Sequence, residues 1–136
     1  MKFSAKSRYA LKLIVDLAEN KNETVVSLSD VSARQDISKK YLEQIVPMLV
    51  KAGIVRANRG ANGGYALNKN PDSCTVGEIL RAVEGELIPV EMPENESDRK
   101  VAFVWEEIHS AMEKAIDGIS VQDILDHNSG FLDYCI

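Results

Sequence analysis

Ser38-Lys39-Lys40-Tyr41-Leu42-Glu43-Gln44-Ile45-Val46-Pro47-Met48-Leu49-Val50-Lys51-Ala52-Gly53 is the stretch whose reading decides the fold. Leu42, Ile45, Val46 and Leu49 recur at the three-and-four spacing of one helix face. Ser38 stands where an N-cap is needed and Gly53 where the helix must stop. Pro47 deletes a backbone donor within this pattern, so a kink or a weaker second half is expected there. The face opposite the apolar stripe opens with Ser38, Lys39, Lys40, Tyr41, Glu43 and Gln44, all polar.

The segments on either side turn this helix into a recognisable unit. Upstream, Ser27 with Asp30 makes a capping box for a short helix that buries Leu28 and Val31 and ends near Gln35-Asp36. Before it, Ala10, Leu13, Ile14, Leu17 and Ala18 predict an amphipathic helix from about Ser4 to Asn20. Downstream the period changes. Ile54-Val55-Arg56-Ala57 and Tyr65-Ala66-Leu67 are strand-like runs separated by Asn58-Arg59-Gly60-Ala61-Asn62-Gly63-Gly64, whose glycines and asparagines suit a turn with an exposed tip. Three helices followed by such a hairpin read as a winged helix-turn-helix, whose second paired helix enters the major groove.

Past Pro71, Thr75 and Glu78 cap a helix carrying Val76, Ile79, Leu80 and Val83. An acidic, proline-containing loop runs from Gly85 to about Asp98. The longest helix follows, about Asp98 to Asp117, with Val101, Val104, Trp105, Ile108, Met112, Ala115 and Ile116 on one side and Gly118 as a stop. Ser120 and Asp123 open a last short helix, and Asn128 to Ile136 reads as an apolar-ended tail. The expected fold is mostly α with a small β-hairpin wing: a winged helix-turn-helix over 1–84, then an acidic loop, long helix and C-terminal tail over 85–136.

Charge divides along the same line. The 136 residues carry a net charge of -5, yet residues 1–70 hold 12 Lys and Arg against 6 Asp and Glu, while 71–136 hold 4 against 15. A bipolar chain can present a basic face to phosphates although it is acidic overall. No apolar run approaches the ~18 residues of a membrane span, and the charged start lacks a signal core, so a cytoplasmic protein is expected. There is no Gly-rich phosphate loop, nucleophile elbow or metal-ligand pair, which argues against an enzyme.

The polar residues suit DNA. Lys39 and Lys40 can neutralise phosphates, and Ser38 and Tyr41 can hydrogen-bond them. Gln44 can pair with adenine, and Glu43 can accept from the amino group of cytosine. Arg59, beside Gly60 and before Asn62, Gly63 and Gly64, suits insertion into a narrow minor groove. Lys2, Lys6 and Arg8 near the first helix's start, with Lys51 and Arg56, would add phosphate contacts.

Ser4-x-Lys6-x-Arg8-Tyr9-Ala10, Ile37-Ser38-x-x-Tyr41-Leu42-Glu43-Gln44, Leu49-x-x-Ala52-Gly53-Ile54-Val55, Arg59-Gly60-x-x-Gly63-Gly64-Tyr65-x-Leu67 and Thr75-Val76-Gly77-Glu78-Ile79 together resemble the Rrf2 family of bacterial transcription regulators. The resemblance implies a homodimer on inverted-repeat promoter DNA, with the third helix in the major groove and the wing arginine in the minor groove. It also implies dimerisation through the long helix, making Val101, Val104, Trp105, Ile108, Met112 and Ala115 candidate contacts.

Many members of that family bind an iron-sulfur cluster through three cysteines in the loop before the long helix. Here the loop from Gly85 to Arg99 has neither Cys nor His, and carboxylates are poor cluster ligands, so no cofactor and no metal are expected. Glu84-Gly85-Glu86-Leu87-Ile88-Pro89-Val90-Glu91 resembles a cluster-free branch that controls cysteine metabolism. In that branch a partner enzyme, cysteine synthase (O-acetylserine sulfhydrylase), takes up a peptide ending in isoleucine. This implies a partner role for Tyr134 and Ile136, a free carboxylate on an apolar side chain being a reasonable peptide ligand. Cys74 and Cys135 offer a thiol-sensing alternative, which Asp133 and the terminal carboxylate oppose at Cys135. His109 and His127 have no second ligand at zinc spacing and read as structural.

Overall fold

In a computed structural model, residues 3–21, 25–87 and 92–135 are described, the last six by backbone alone. The apolar stripes become helices in the expected order: α1 (Ala5–Glu19), α2 (Leu28–Gln35) and α3 (Lys39–Lys51). Strands β1 (Val55–Asn58) and β2 (Gly64–Leu67) follow, then α4 (Val76–Glu84), α5 (Glu96–Asp117) and α6 (Val121–Cys135). The capping residues act as read. Ser27 Oγ accepts from the Asp30 N–H at 3.1 Å, Ser38 Oγ from Tyr41 N–H at 3.1 Å, and Thr75 Oγ1 from Glu78 N–H at 3.2 Å. Pro47 lies on the exposed side of α3, and the helix runs through it to Lys51.

One cluster binds these elements together. Leu13, Ile14 and Leu17 of α1 meet Val31 of α2, Leu42, Ile45 and Leu49 of α3, and Ile79 of α4. Ile54 and Val55 close it on the hairpin side, and Val121 of α6 is fully buried in the same cluster. Strands β1 and β2 pair antiparallel with Val55 opposite Leu67 and Asn58 opposite Gly64. Val26 adds a third rung, exchanging both backbone hydrogen bonds with Tyr65 at 2.8 Å.

Two boundaries differ from the sequence reading. α5 begins at Glu96, because Asn95 caps it by accepting from the Asp98 N–H at 2.8 Å. The last helix is not short: α6 continues as backbone helix to Cys135, through the segment read as a tail. Its start is clamped by a bridge in which Val121 N–H donates to Cys74 O and Val76 N–H to Ile119 O, both at 2.8 Å. Packing at one end lets the helix propagate past Gly130.

Candidate nucleic-acid interface

The helix pair is held at its turn. Asp36 adopts a left-handed conformation (φ 53°) after α2, Ile37 is buried beneath it, and Ser32 Oγ donates to Ile37 O at 2.5 Å. Beneath α2 lies Asp16, a carboxylate 1% exposed within the core face of α1. Arg34 grips it with two hydrogen bonds, Nε to Oδ2 at 2.9 Å and Nη2 to Oδ1 at 2.8 Å, and Gln35 Nε2 adds a third at 3.0 Å. Burial alone would push the Asp16 carboxyl up, but the hydrogen bonds from Arg34 and Gln35 and the charge of Arg34 outweigh it and hold it below its ordinary value. The signal for this pair lay in Asp16 sitting at the edge of the apolar stripe, three residues after Leu13.

α3 is thereby set with one face inward and the other free. Leu42, Ile45, Val46 and Leu49 are buried, while Ser38, Lys39, Lys40, Glu43 and Gln44 are exposed. Tyr41 is half-buried: its ring meets that of Tyr9 edge-on, with centroids 5.0 Å apart at 88°. This contact lays the first turns of α1 and α3 side by side. Lys6 and Arg8 are exposed on the stretch of α1 just before Tyr9, and Lys12 stands 5.8 Å over the Tyr9 ring. Lys2 lies outside the described residues. The Ser38 hydroxyl oxygen caps α3 and its proton stays available to an acceptor.

At the wing, Arg59, Gly60 and Asn62 are exposed between the strands. Gly63 and Gly64 have a structural reason of their own. A Cβ on Gly63 would lie 2.4 Å from Asn58 O, and one on Gly64 would lie 2.6 Å from Val26 O, so side chains there would pry the hairpin open. These two glycines shape the turn that carries Arg59 outward.

α5 is built differently. Of its 22 residues only Ile116 is buried. Val101, Val104, Trp105 and Ile108 are exposed, Trp105 to 62%, and Ala115 is exposed with them. Met112 is half-buried against Val76, Leu80 and Ile116 and so faces its own α4. The sequence reading passed over Ala111 and Phe103. Val101, Val104, Ile108, Ala111 and Ala115 follow the alternating three-and-four spacing of a coiled-coil seam, and Phe103 is 64% exposed on another side. Arg81 Nη1 and Nη2 reach Asp117 Oδ1 and Oδ2 at 2.7 and 2.9 Å, tying α4 to the far end of α5. Glu84, at the end of α4, accepts from the hydroxyls of Ser4 and Ser7.

A profile of the Rrf2 family, described as "Iron-dependent Transcriptional regulator", matches residues 3–127. The chain belongs to the Rrf2 family. It is 38% identical over 130 residues to the HTH-type transcriptional regulator CymR of Bacillus subtilis, covering 96% of this chain and 94% of that one. The solved structure of CymR, titled the global cysteine regulator of B. subtilis, superposes with a TM-score of 0.83 at 37% identity, over 93% of this chain and 98% of that one. A structure titled T. potens IscR matches with a TM-score of 0.78 at 36% identity, over 94% of this chain and 88% of that one. The family makes this chain a DNA-binding transcriptional regulator rather than an enzyme.

The iron in the family's description finds a poor donor set in this Rrf2 chain. Cys74 is fully enclosed in the core, and burial pushes its thiol up, with the nearby Glu78 carboxylate adding to the effect. Among the described residues no group of three His, Cys, Asp or Glu side chains could hold a metal ion. His109 lies against Glu113 one turn along α5, a surface pair within one helix. Two cysteines, one of them buried, do not fit an iron-sulfur cluster. The Cys135 and Tyr134 side chains and Ile136 lie outside what is described. Among the described residues no helix is long and apolar enough to cross a membrane.

Proposed function

We propose that this Rrf2-family chain is a cytoplasmic homodimeric repressor that binds inverted-repeat promoter sites, with α3 in the major groove and Arg59 in the minor groove. The observation that carries the reading is the division of α3 into a buried apolar face and an exposed polar one. Lys6, Arg8, Lys39, Lys40 and Ser38 serve phosphates, which position the protein, and Glu43 and Gln44 serve base edges, which specify the site. The exposed seam of α5 supports the dimer, since a water-facing row of Val101, Val104 and Ile108 has its natural cover in a second copy of the same row.

Two such copies place two recognition helices on one side of the duplex, so half-site centres lie about 34 Å apart or a multiple of that. Selection of duplexes from random sequence, with sedimentation equilibrium on the free protein, tests this. A dimer that selects an inverted repeat is the expected result. A monomer that selects a single asymmetric site overturns it.

Likeness to a relative titled a global cysteine regulator supports a regulon in cysteine and sulfur metabolism, with cysteine synthase as a partner that takes the C-terminal Tyr134 to Ile136. Removing Ile136 should abolish capture of cysteine synthase and leave DNA affinity unchanged. Undiminished capture by the shortened chain would sink the partner assignment.

A further inference from the structure

A cavity of about 140 Å³ lies between the last turn of α1 and strands β1 and β2. Its apolar wall is Leu17, Val26 and Leu67, and three cations stand around it: Lys21, Arg56 and Lys69. Among the described residues no carboxylate lines it. Lys69 is braced by Glu78, Nζ to Oε2 at 2.6 Å, which leaves its other ammonium protons free to donate. Lys21 and Arg56 have no acidic partner among the described residues. The carbonyl end of α1, which would repel an anion, is partly quenched: Asp16 O accepts from both the backbone N–H and the Nδ2 of Asn20, at 3.1 and 2.8 Å.

We propose that this cavity binds a compact organic anion, its acidic group between Lys21 and Arg56 and its short apolar body against Leu17, Val26 and Leu67. The volume is below the ~300–1,000 Å³ of drug-sized ligand sites, which limits the occupant to a small metabolite. Arg56 lies directly opposite Ala66 in the ladder, and Val26 is bonded to Tyr65, so one wall belongs to the hairpin that carries Arg59 and the other is hydrogen-bonded to it. A ligand seated there would stiffen the wing at its root. That regulatory consequence rests on the proposed DNA reading; the binding itself does not.

The test is amide chemical-shift mapping of the DNA-free protein titrated with butyrate at constant ionic strength, with inorganic phosphate and n-butanol as controls. Butyrate is expected to give saturable shifts at Arg56, Ala66, Leu67 and Lys69, phosphate weaker ones, and butanol none. Lys21→Glu should weaken butyrate about tenfold or more by reversing a charge beside the carboxylate, with its thermal unfolding showing an intact fold. Shifts confined to α3, an equal response to butanol, or unchanged affinity in Lys21→Glu would overturn the site. A DNA phosphate has the same anionic chemistry, so a duplex arm is included. If duplex displaces butyrate and moves the same amides, the cavity is a DNA contact and the metabolite assignment is overturned. Failure of DNA binding alone would leave the butyrate result standing and count against the DNA reading only.

Discussion

α1 and α5 are both amphipathic helices with apolar residues at helical spacing, yet α1 buries seven of its 15 residues and α5 one of its 22. The difference lies in what each stripe meets. Leu13, Ile14 and Leu17 are enclosed by α2, α3 and α4 of the same chain, so α1 completes a core. Among the described residues, Val101, Val104, Ile108, Ala111 and Ala115 stay exposed, while Met112 and Ile116 pack against α4. An exposed apolar row of that length is what the proposed dimer would cover. In the proposed dimer the same periodicity therefore serves stability in one helix and association in the other.

The largest expected effect separates those two roles. Ile108→Asp sets two carboxylates facing one another in the proposed seam, and the dimer dissociation constant should rise by about a thousandfold or more, ~4 kcal/mol. Sedimentation equilibrium measures it, and circular dichroism should show the helices of the N-terminal half intact. A variant that stays dimeric would remove the distinction between α1 and α5. Next comes Leu13→Ala in α1, where the lost contacts and the cavity should cost about 2–5 kcal/mol of unfolding free energy in urea. A loss below 1 kcal/mol by the rough scale of core truncations would mean that the α1 stripe is not the core's centre.

Arg59→Ala should lower duplex affinity by about 1–3 kcal/mol while leaving stability unchanged, since the side chain is exposed. Unaltered fluorescence anisotropy titrations at moderate salt would break the wing assignment. The smallest effect is in acid. Asp16 is held below its ordinary value of 3.8, so its pairing with Arg34 contributes stability that is fully present above about that pH and lost as pH falls through the lower folded value. Asp16→Asn should reduce stability at neutral pH and flatten the acid limb of a melting-temperature profile. An acid limb as steep as that of the unaltered chain would show that other carboxylates carry it.

Much of the fold was legible because its signals are local. Ser27, Ser38 and Thr75 each satisfy a backbone donor three residues on, and that geometry needs nothing beyond the neighbouring turn. The wing was legible for a similar reason: the glycines and asparagines between Ala57 and Tyr65 suit a turn, whereas the close approach of Gly64 to Val26 O appears only in the folded chain. The C-terminal segment was not. Asn128, Ser129 and Gly130 have weak helix propensity, and the bridge at Cys74 and Val121 that starts α6 joins residues far apart in the chain. Asp16 likewise looked like one more polar residue on α1 until α2 brought Arg34 and Gln35 over it.

The sequence by itself determined the order of the elements, the helix starts capped by Ser27, Ser38 and Thr75, which residues form the wing and which polar groups stand on the free face of α3, because periodicity, capping and turn chemistry act over a few residues. Tertiary structure alone decided that Asp16 is a buried anchor, that Tyr41 leans on Tyr9, that Met112 belongs to the chain's own core while Ala111 stands in the outward row, and that Lys21, Arg56 and Lys69 share one cavity. Each of these depends on the angle at which one element crosses another, and that angle is set by the sum of all core contacts rather than by any local run of residues.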